Sequence, residues 1–226
     1  MNKNFFLICT ILLVTTSLIG QEKEKKHTNN FNIGINVGPN YNSFRGDSWA
    51  DKYDSQFNYF FGLSFEYHMN EDFSILTNLN YENRSYKAEY NGSNLVWWDT
   101  YKVEDETNIK NINIPILLKY KFGFEKEFYI NGGFFYNHIF DVSNEMINTE
   151  TGEDLSFIDF NYIYKDKEYG ISLGIGMTFK LNEKNNLTFE IRDDFGITDI
   201  GDTEVANISN SYTNTIKLIA NWSLNL

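Results

Sequence analysis

The sequence predicts an all-β fold: a cleaved signal peptide, then an eight-stranded antiparallel up-and-down transmembrane β-barrel. Three observations predict it. Eight segments alternate apolar and polar residues with a period of two, the pattern of strands with one apolar and one polar face. The connectors between them alternate short and long, as in barrels whose turns lie on one side of a bilayer and whose loops lie on the other. The polar face is made of Gly, Asn and Ser with a few charges of both signs, rather than of Lys, Glu and Thr.

The first segment sets Phe31, Ile33, Ile35 and Val37 against Asn32, Gly34, Asn36 and Gly38. The second sets Phe57, Tyr59, Phe61, Leu63, Phe65 and Tyr67 against Asn58, Gly62, Ser64, Glu66 and His68, with Phe60 a misfit. The third sets Phe73, Ile75, Thr77, Leu79 and Tyr81 against Ser74, Asn78, Asn80 and Glu82. The fourth sets Ile112, Ile114, Ile116, Leu118, Tyr120 and Phe122 against Asn111, Asn113, Lys119 and Lys121. The fifth, 128–138, is the least regular, because Tyr129 and Phe135 fall on its polar side. The sixth sets Tyr169, Ile171, Leu173, Ile175, Met177 and Phe179 against Gly170, Ser172, Gly174, Gly176, Thr178 and Lys180. The seventh sets Leu187, Phe189 and Ile191 against Thr188, Glu190 and Arg192. The eighth, 216–226, puts Ile216, Leu218, Ala220, Trp222, Leu224 and Leu226 on one face, and only Ile219 breaches the other. A tilted strand crosses a bilayer in about 9–11 residues, which these segments supply.

Residues 70–72, 123–126 and 182–185 are short connectors; 40–56, 88–108, 140–168 and 198–210 are long ones. With eight strands both chain termini are expected on the short-turn, periplasmic side. Pro115 sits inside the fourth segment, where it removes a ladder donor, so a bulge or a missing bond is expected there. Residues 156–164 also alternate, which extends the fifth and sixth strands or adds a hairpin to make ten.

A soluble lipocalin-like barrel shows the same alternation turned inside out. Small polar residues suit a crowded interior. Aromatics gather towards the ends of the apolar face at Phe57, Tyr59, Tyr67, Phe73, Tyr120, Phe122, Phe179 and Trp222, as interfacial girdles do. The membrane reading follows.

Residues 1–20 read as a signal peptide: Lys3, then an apolar run too short to span, then small residues. Residues 21–30 read as a periplasmic tail and 31–226 as the barrel. Cys9, the single cysteine, falls in the leader, and Ile8 before it speaks against a lipoprotein signal. The mature chain then has no thiol or disulfide chemistry. A formal charge of −12, or −13 without Lys3, repels nucleic acid.

Gly38-Pro39-Asn40-Tyr41-Asn42-Ser43-Phe44-Arg45-Gly46 resembles the Gly-x-Asn-x-x-Ser-x-x-Gly opening of Bacteroidetes outer-membrane β-barrel proteins of the porin-family or PorT type. Asn113-Ile114-Pro115-Ile116-Leu117-Leu118-Lys119-Tyr120-Lys121-Phe122 is similar to that family's Ile-Pro-Leu-Leu-Leu-Lys-Tyr strand, which also accounts for Pro115. Tyr169-Gly170, Gly174-Ile175-Gly176, Glu190-Ile191-Arg192 and Gly196-Ile197-Thr198-Asp199-Ile200 are similar to its last three strands. The resemblance covers nearly all of the mature chain and implies a barrel in the bacterial outer membrane. Leu226 departs from the Phe more usual at the end. Most members have no assigned activity, so the resemblance implies little about chemistry.

Among candidate sites, Glu66, Glu82, Glu190, Lys119, Lys121, Lys180, Arg192 and Lys217 are expected to face the lumen. An eight-stranded barrel is just wide enough for side chains to fill it, so a structural network of paired charges is preferred over a solute path. His138, with Asp141 and Ser143 close in sequence, is the enzymatic candidate, but proximity along a loop is poor evidence for a triad. Arg45-Gly46-Asp47 spells an adhesive tripeptide that recurs by chance. The acids Asp47, Asp51 and Asp54, Glu104 to Glu106 with Asp105, and Asp193, Asp194, Asp199 and Asp202 are read as loop charge, with cation bridging to lipopolysaccharide as the alternative. Trp97, Trp98 and Tyr101 are expected at the outer interface. No phosphate loop, zinc spacing or dinucleotide fingerprint occurs, so no cofactor, metal or catalytic residue is expected. The reading is a monomeric structural or surface-interacting barrel. Its partners are outer-membrane lipid, lipopolysaccharide and, during biogenesis, the barrel assembly machinery. Small-solute passage or a place in a secretion assembly is the alternative, and an outer-membrane enzyme the third.

Overall fold

Each alternating segment becomes a strand, and the strands close on one another. The structure is a computed structural model that describes residues 30–46, 50–94, 99–156, 164–201 and 211–226. The strands are β1 (Phe31–Gly46), β2 (Asp54–His68), β3 (Phe73–Asn94), β4 (Asp99–Phe122), β5 (Phe128–Asn148), β6 (Lys167–Lys180), β7 (Asn185–Gly196) and β8 (Ser211–Asn225), with a 3₁₀ turn at Ala50–Lys52. Every neighbour is antiparallel, and β8 returns to β1 to complete the ring. No helix among the described residues is long and apolar enough to cross a membrane, and the outward faces of the strands carry exposed large apolar residues. The proposed signal peptide, most of the tail, Cys9, Asp47, Trp97, Trp98 and Asp202 lie outside the described residues.

Two of the three short turns are built alike. Asn70 accepts backbone N–H bonds from Asp72 and Phe73, and Asn182 accepts them from Lys184 and Asn185. An Asn side chain replacing a main-chain acceptor is a standard way to tighten such a turn.

Both prolines interrupt a ladder without shifting register. On the β8 side, β1 pairs Val37 with Ala220 and Asn40 with Lys217, but the intervening pairs at Gly38 and Pro39 are missing. On the β3 side, β4 pairs Ile116 with Thr77 and Asn113 with Asn80, and the pairs at Pro115 and Ile114 are missing. The gap expected at Pro115 is therefore a lost bond rather than a bulge, and the Thr77 hydroxyl donates to the Pro115 carbonyl at 2.8 Å. The register shifts lie elsewhere: one falls between Ser55 and Phe60 of β2 against β3, and in the other Lys110 faces Asp141 and Asn111 faces Ile139, so Phe140 is the extra residue in β5. It reverses the parity of β5, so that Val142 points inward as Ile139 does.

Strands extend into three of the expected loops. Residues 88–94 and 99–108 are paired strand ends of β3 and β4, β5 runs to Asn148, and β1 runs to Gly46. β4 has 24 residues, a length of about 80 Å, roughly twice what a tilted crossing needs. The excess of β3, β4 and β5 stands above the membrane as a three-stranded sheet. The ring has eight strands, and the ten-stranded alternative falls away. Residues 157–163 lie outside the described residues, and Tyr164 forms an isolated bridge with Gly201.

Gly38 marks the tightest point of the β1–β8 seam. A Cβ there would sit 1.8 Å from the Leu218 carbonyl oxygen, a backbone atom that cannot swing aside. Gly38→Ala is expected to lower barrel stability by about 1–3 kcal/mol, read as a lower urea midpoint for the heat-modifiable gel shift.

Candidate functional site: the lumen and its two mouths

Residues two apart on a strand share a face, so three strands place charges in the lumen in rows. β3 supplies Glu82 and Arg84; β7 supplies Glu190, Arg192 and Asp194; β8 supplies Lys217. Glu168 enters from the start of β6. All are buried. Arg84 bridges Glu82 and Glu168, each at 3.0 Å. Arg192 Nε meets Glu190 at 2.6 Å, and its Nη1 donates to Asn78 at 2.8 Å. Lys217 is ion-paired with Glu82 and, at 2.6 Å, with Asp194. Remaining carboxylate lone pairs take Asn, Ser, Thr and Tyr donors: Tyr129 on Glu190 at 2.6 Å, Asn137 on Glu168 at 2.6 Å, and Ser172 on Asp194. Buried charge is tolerated only with such pairing and hydrogen bonding.

Towards the short turns a second cluster forms. Glu66 accepts from Ser74 at 2.6 Å and pairs with Lys119 and Lys121, each at 3.1 Å. Lys121 also donates to His68 Nδ1 at 2.8 Å. Lys119 lies 4.0 Å from the centre of the Tyr129 ring, and Tyr129 holds Glu190. That ring joins the two clusters. Among the described lumen residues, Glu66, Glu82, Glu168, Glu190 and Asp194 balance Arg84, Arg192, Lys119, Lys121 and Lys217. The void between the clusters is about 20 Å³, room for about one water.

The opposite mouth is closed by apolar packing. Phe44 stacks on Tyr86 with ring centres 3.7 Å apart, and Ile109, Ile139, Val142, Tyr164 and Ile200 surround them. Asp105 is buried at the edge of this cluster, accepting from Tyr53 at 3.1 Å and from Asn144. Burial holds its carboxyl above the ordinary value, and the two hydrogen bonds oppose that shift.

Seven of the eight residues expected in the lumen network face inward and pair as described. Lys180, the eighth, ends the inward row of Gly174, Gly176 and Thr178 and lines the open mouth at the short turns, exposed and in no ion pair among the described residues. Arg84, Glu168 and Asp194 are lumen charges beyond those expected. Their signal was parity: Arg84 continues the inward row of Asn78, Asn80 and Glu82, Asp194 that of Glu190 and Arg192, and Glu168 that of Gly170 and Ser172. The aromatics Phe57, Tyr59, Tyr67, Phe73, Tyr120, Phe122, Phe179 and Trp222 all point outward and are exposed.

The acids read as loop charge are mostly committed to partners. Asp194 lies inside the barrel, Asp105 inside its mouth, Glu104 pairs with Lys87 at 2.9 Å, and Asp193 accepts from Asn214 at 3.0 Å. No metal-holding group of His, Cys, Asp or Glu occurs among the described residues. His138 is exposed on β5, Ser143 is exposed beyond the Phe140 bulge, and Asp141 pairs with Lys110 at 2.7 Å. The three do not assemble a triad. Arg45 is anchored by bonds to the Gly196 and Thr213 carbonyls and lies 3.5 Å from the Phe195 ring centre. It is not displayed at a loop tip.

The sequence model for the outer membrane protein beta-barrel domain matches residues 20–202. No curated protein matches the chain. Among solved structures, the chain is similar to Neisserial surface protein A, at 12% identity over 87% of this chain and 97% of that one, with a TM-score of 0.47. It is similar to the outer membrane protease OmpT of Escherichia coli, at 10% identity over 91% and 99%, TM-score 0.45. It is also similar to OprG of Pseudomonas aeruginosa, at 15% identity over 85% and 94%, TM-score 0.44.

Arg192→Leu removes the ion-pair partner of Glu190 within the lumen, and breaking such a pair costs about 3–5 kcal/mol. A lower melting temperature of the compact gel form is expected. For Asp105 the folded chain binds the proton more readily than the unfolded chain. That contribution is full below the unfolded-state pKa and is lost as pH rises through the folded-state pKa. Asp105→Asn is expected to be more stable than the parent at neutral pH, with the difference in urea midpoint narrowing as the pH falls.

Proposed function

The chain belongs to the outer membrane protein beta-barrel domain family and lies in the bacterial outer membrane, and on that premise we propose that it is a closed, non-conducting anchor that presents a rigid extracellular sheet for surface interaction. The observation that carries this is the lumen: paired charges fill its centre, and an aromatic cluster covers its outer end. Solute passage needs a continuous path, and the void left between the charge clusters holds about one water. The crown of β3, β4 and β5 is the part available to partners, since it stands beyond the lipid on a wall with no open edge. Its outward face carries Lys87, Glu104, Glu106, Lys110, Asp141 and Glu145, a polar surface of mixed sign.

The motifs at 38–46 and 113–122 support placing the chain with the Bacteroidetes PorT-type members of the family. The complete ring supports a monomer surrounded by lipid. Lipopolysaccharide contacts and handling by the assembly machinery follow from that location. The dispersal of His138, Asp141 and Ser143 supports a non-enzymatic role.

In planar bilayers the folded protein is expected to give no stable step current. Reproducible unitary steps from gel-verified folded protein would replace this reading with the small-solute one.

A further inference from the structure

The short-turn end, which faces the periplasm in a barrel of this orientation, opens into a cavity of about 540 Å³. Pockets of about 300–1,000 Å³ are the size that holds small ligands. This one is blind, because the lumen above it is filled. Its charges are layered. The wall carries Lys119 and Lys121 beside one carboxylate, Glu66, with Lys180 nearer the mouth at the end of β6. The rim, made by the short turns, carries Glu71, Glu125 and Glu183, while its Lys126 is paired with Asp72.

The inner layer is short of anions. Glu66 already accepts from Ser74, Lys119 and Lys121, so that group keeps one positive charge. Lys121 takes a ring nitrogen of His68 as a further acceptor. Lys180 adds a second charge with no ion pair among the described residues. Asn32, only 6% exposed, lines the same cavity, and its side-chain oxygen has no hydrogen-bond partner, an acceptor that suits an N–H of the ligand rather than its carboxylate.

The geometry points to a periplasm-facing binding site for a dipolar ligand: the free carboxyl end of a short basic peptide. Its carboxylate enters between Lys121 and Lys180, and its ammonium stays at the rim against Glu71, Glu125 and Glu183. A simple anion must pass the acidic rim unaided, and a simple cation meets lysines inside. A ligand with both charges in that order satisfies both layers.

Titration calorimetry on the mature protein in detergent micelles tests this with glycyl-lysine, its C-terminal amide and acetate as probes. Glycyl-lysine is expected to bind at a single site, with the amide and acetate each weaker by about tenfold, the loss of one charge-assisted contact. Lys180→Gln should weaken glycyl-lysine by a similar factor. Glu183→Gln should weaken glycyl-lysine and leave acetate bound no more weakly than before. Both residues are exposed outside the buried network, and the gel shift verifies folding of each variant. The absence of saturable binding of glycyl-lysine overturns the proposal. So does an amide that binds as tightly as the free acid, or an unaltered affinity in Lys180→Gln.

Discussion

A strand in hydrocarbon cannot leave a backbone N–H or C=O without a partner. Everything else in this molecule depends on that constraint. It forces β8 back onto β1, because an open sheet would carry two unpaired edges through the lipid. Closure then creates an inside, and the alternation of side chains assigns every second residue to it. In a ring of eight strands that inside is narrow. Polar groups directed there have no bulk water to solvate them, so they must satisfy one another.

The two clusters show how this is met. Arg84 and Lys217 each bridge carboxylates from different strands, so the ion pairs also tie β3, β6, β7 and β8 across the lumen. The central cluster has more carboxylates than cations, and the cluster around Glu66 has the reverse. Tyr129 stands between them, offering its ring face to Lys119 and its hydroxyl to Glu190. This is a barrel balanced as a whole rather than pair by pair. The excess of cations at the periplasmic end gives that mouth its own electrostatic character.

The prolines fit the same logic. Each forfeits a ladder bond on one side only: Pro39 still pairs with Tyr59 of β2, and Pro115 with Phe135 of β5. A ring held by eight ladders absorbs such local losses without a change of register.

Within the membrane, the sequence by itself determined the strands, their order and which face meets lipid. The reason is that lipid and lumen impose opposite demands on neighbouring residues, and the period of two records them directly. Even the breaches were informative: Phe60, Tyr129, Phe135 and Ile219 are true inward residues, buried in the lumen. Above the membrane the same reasoning failed, because solvent replaces lipid and the demands invert. Along 99–111 the outward positions become Lys102, Glu104, Glu106, Asn108 and Lys110, while Val103 and Ile109 turn inward, Ile109 joining the cluster of Tyr86 and Phe44. A pattern sought as apolar-outside therefore read as loop. Tertiary structure alone decided that this stretch is strand, and which partners Arg84, Glu168 and Asp194 find across the lumen. Pairing between residues on different strands depends on tilt and register around the ring, which alternation along a single strand does not encode.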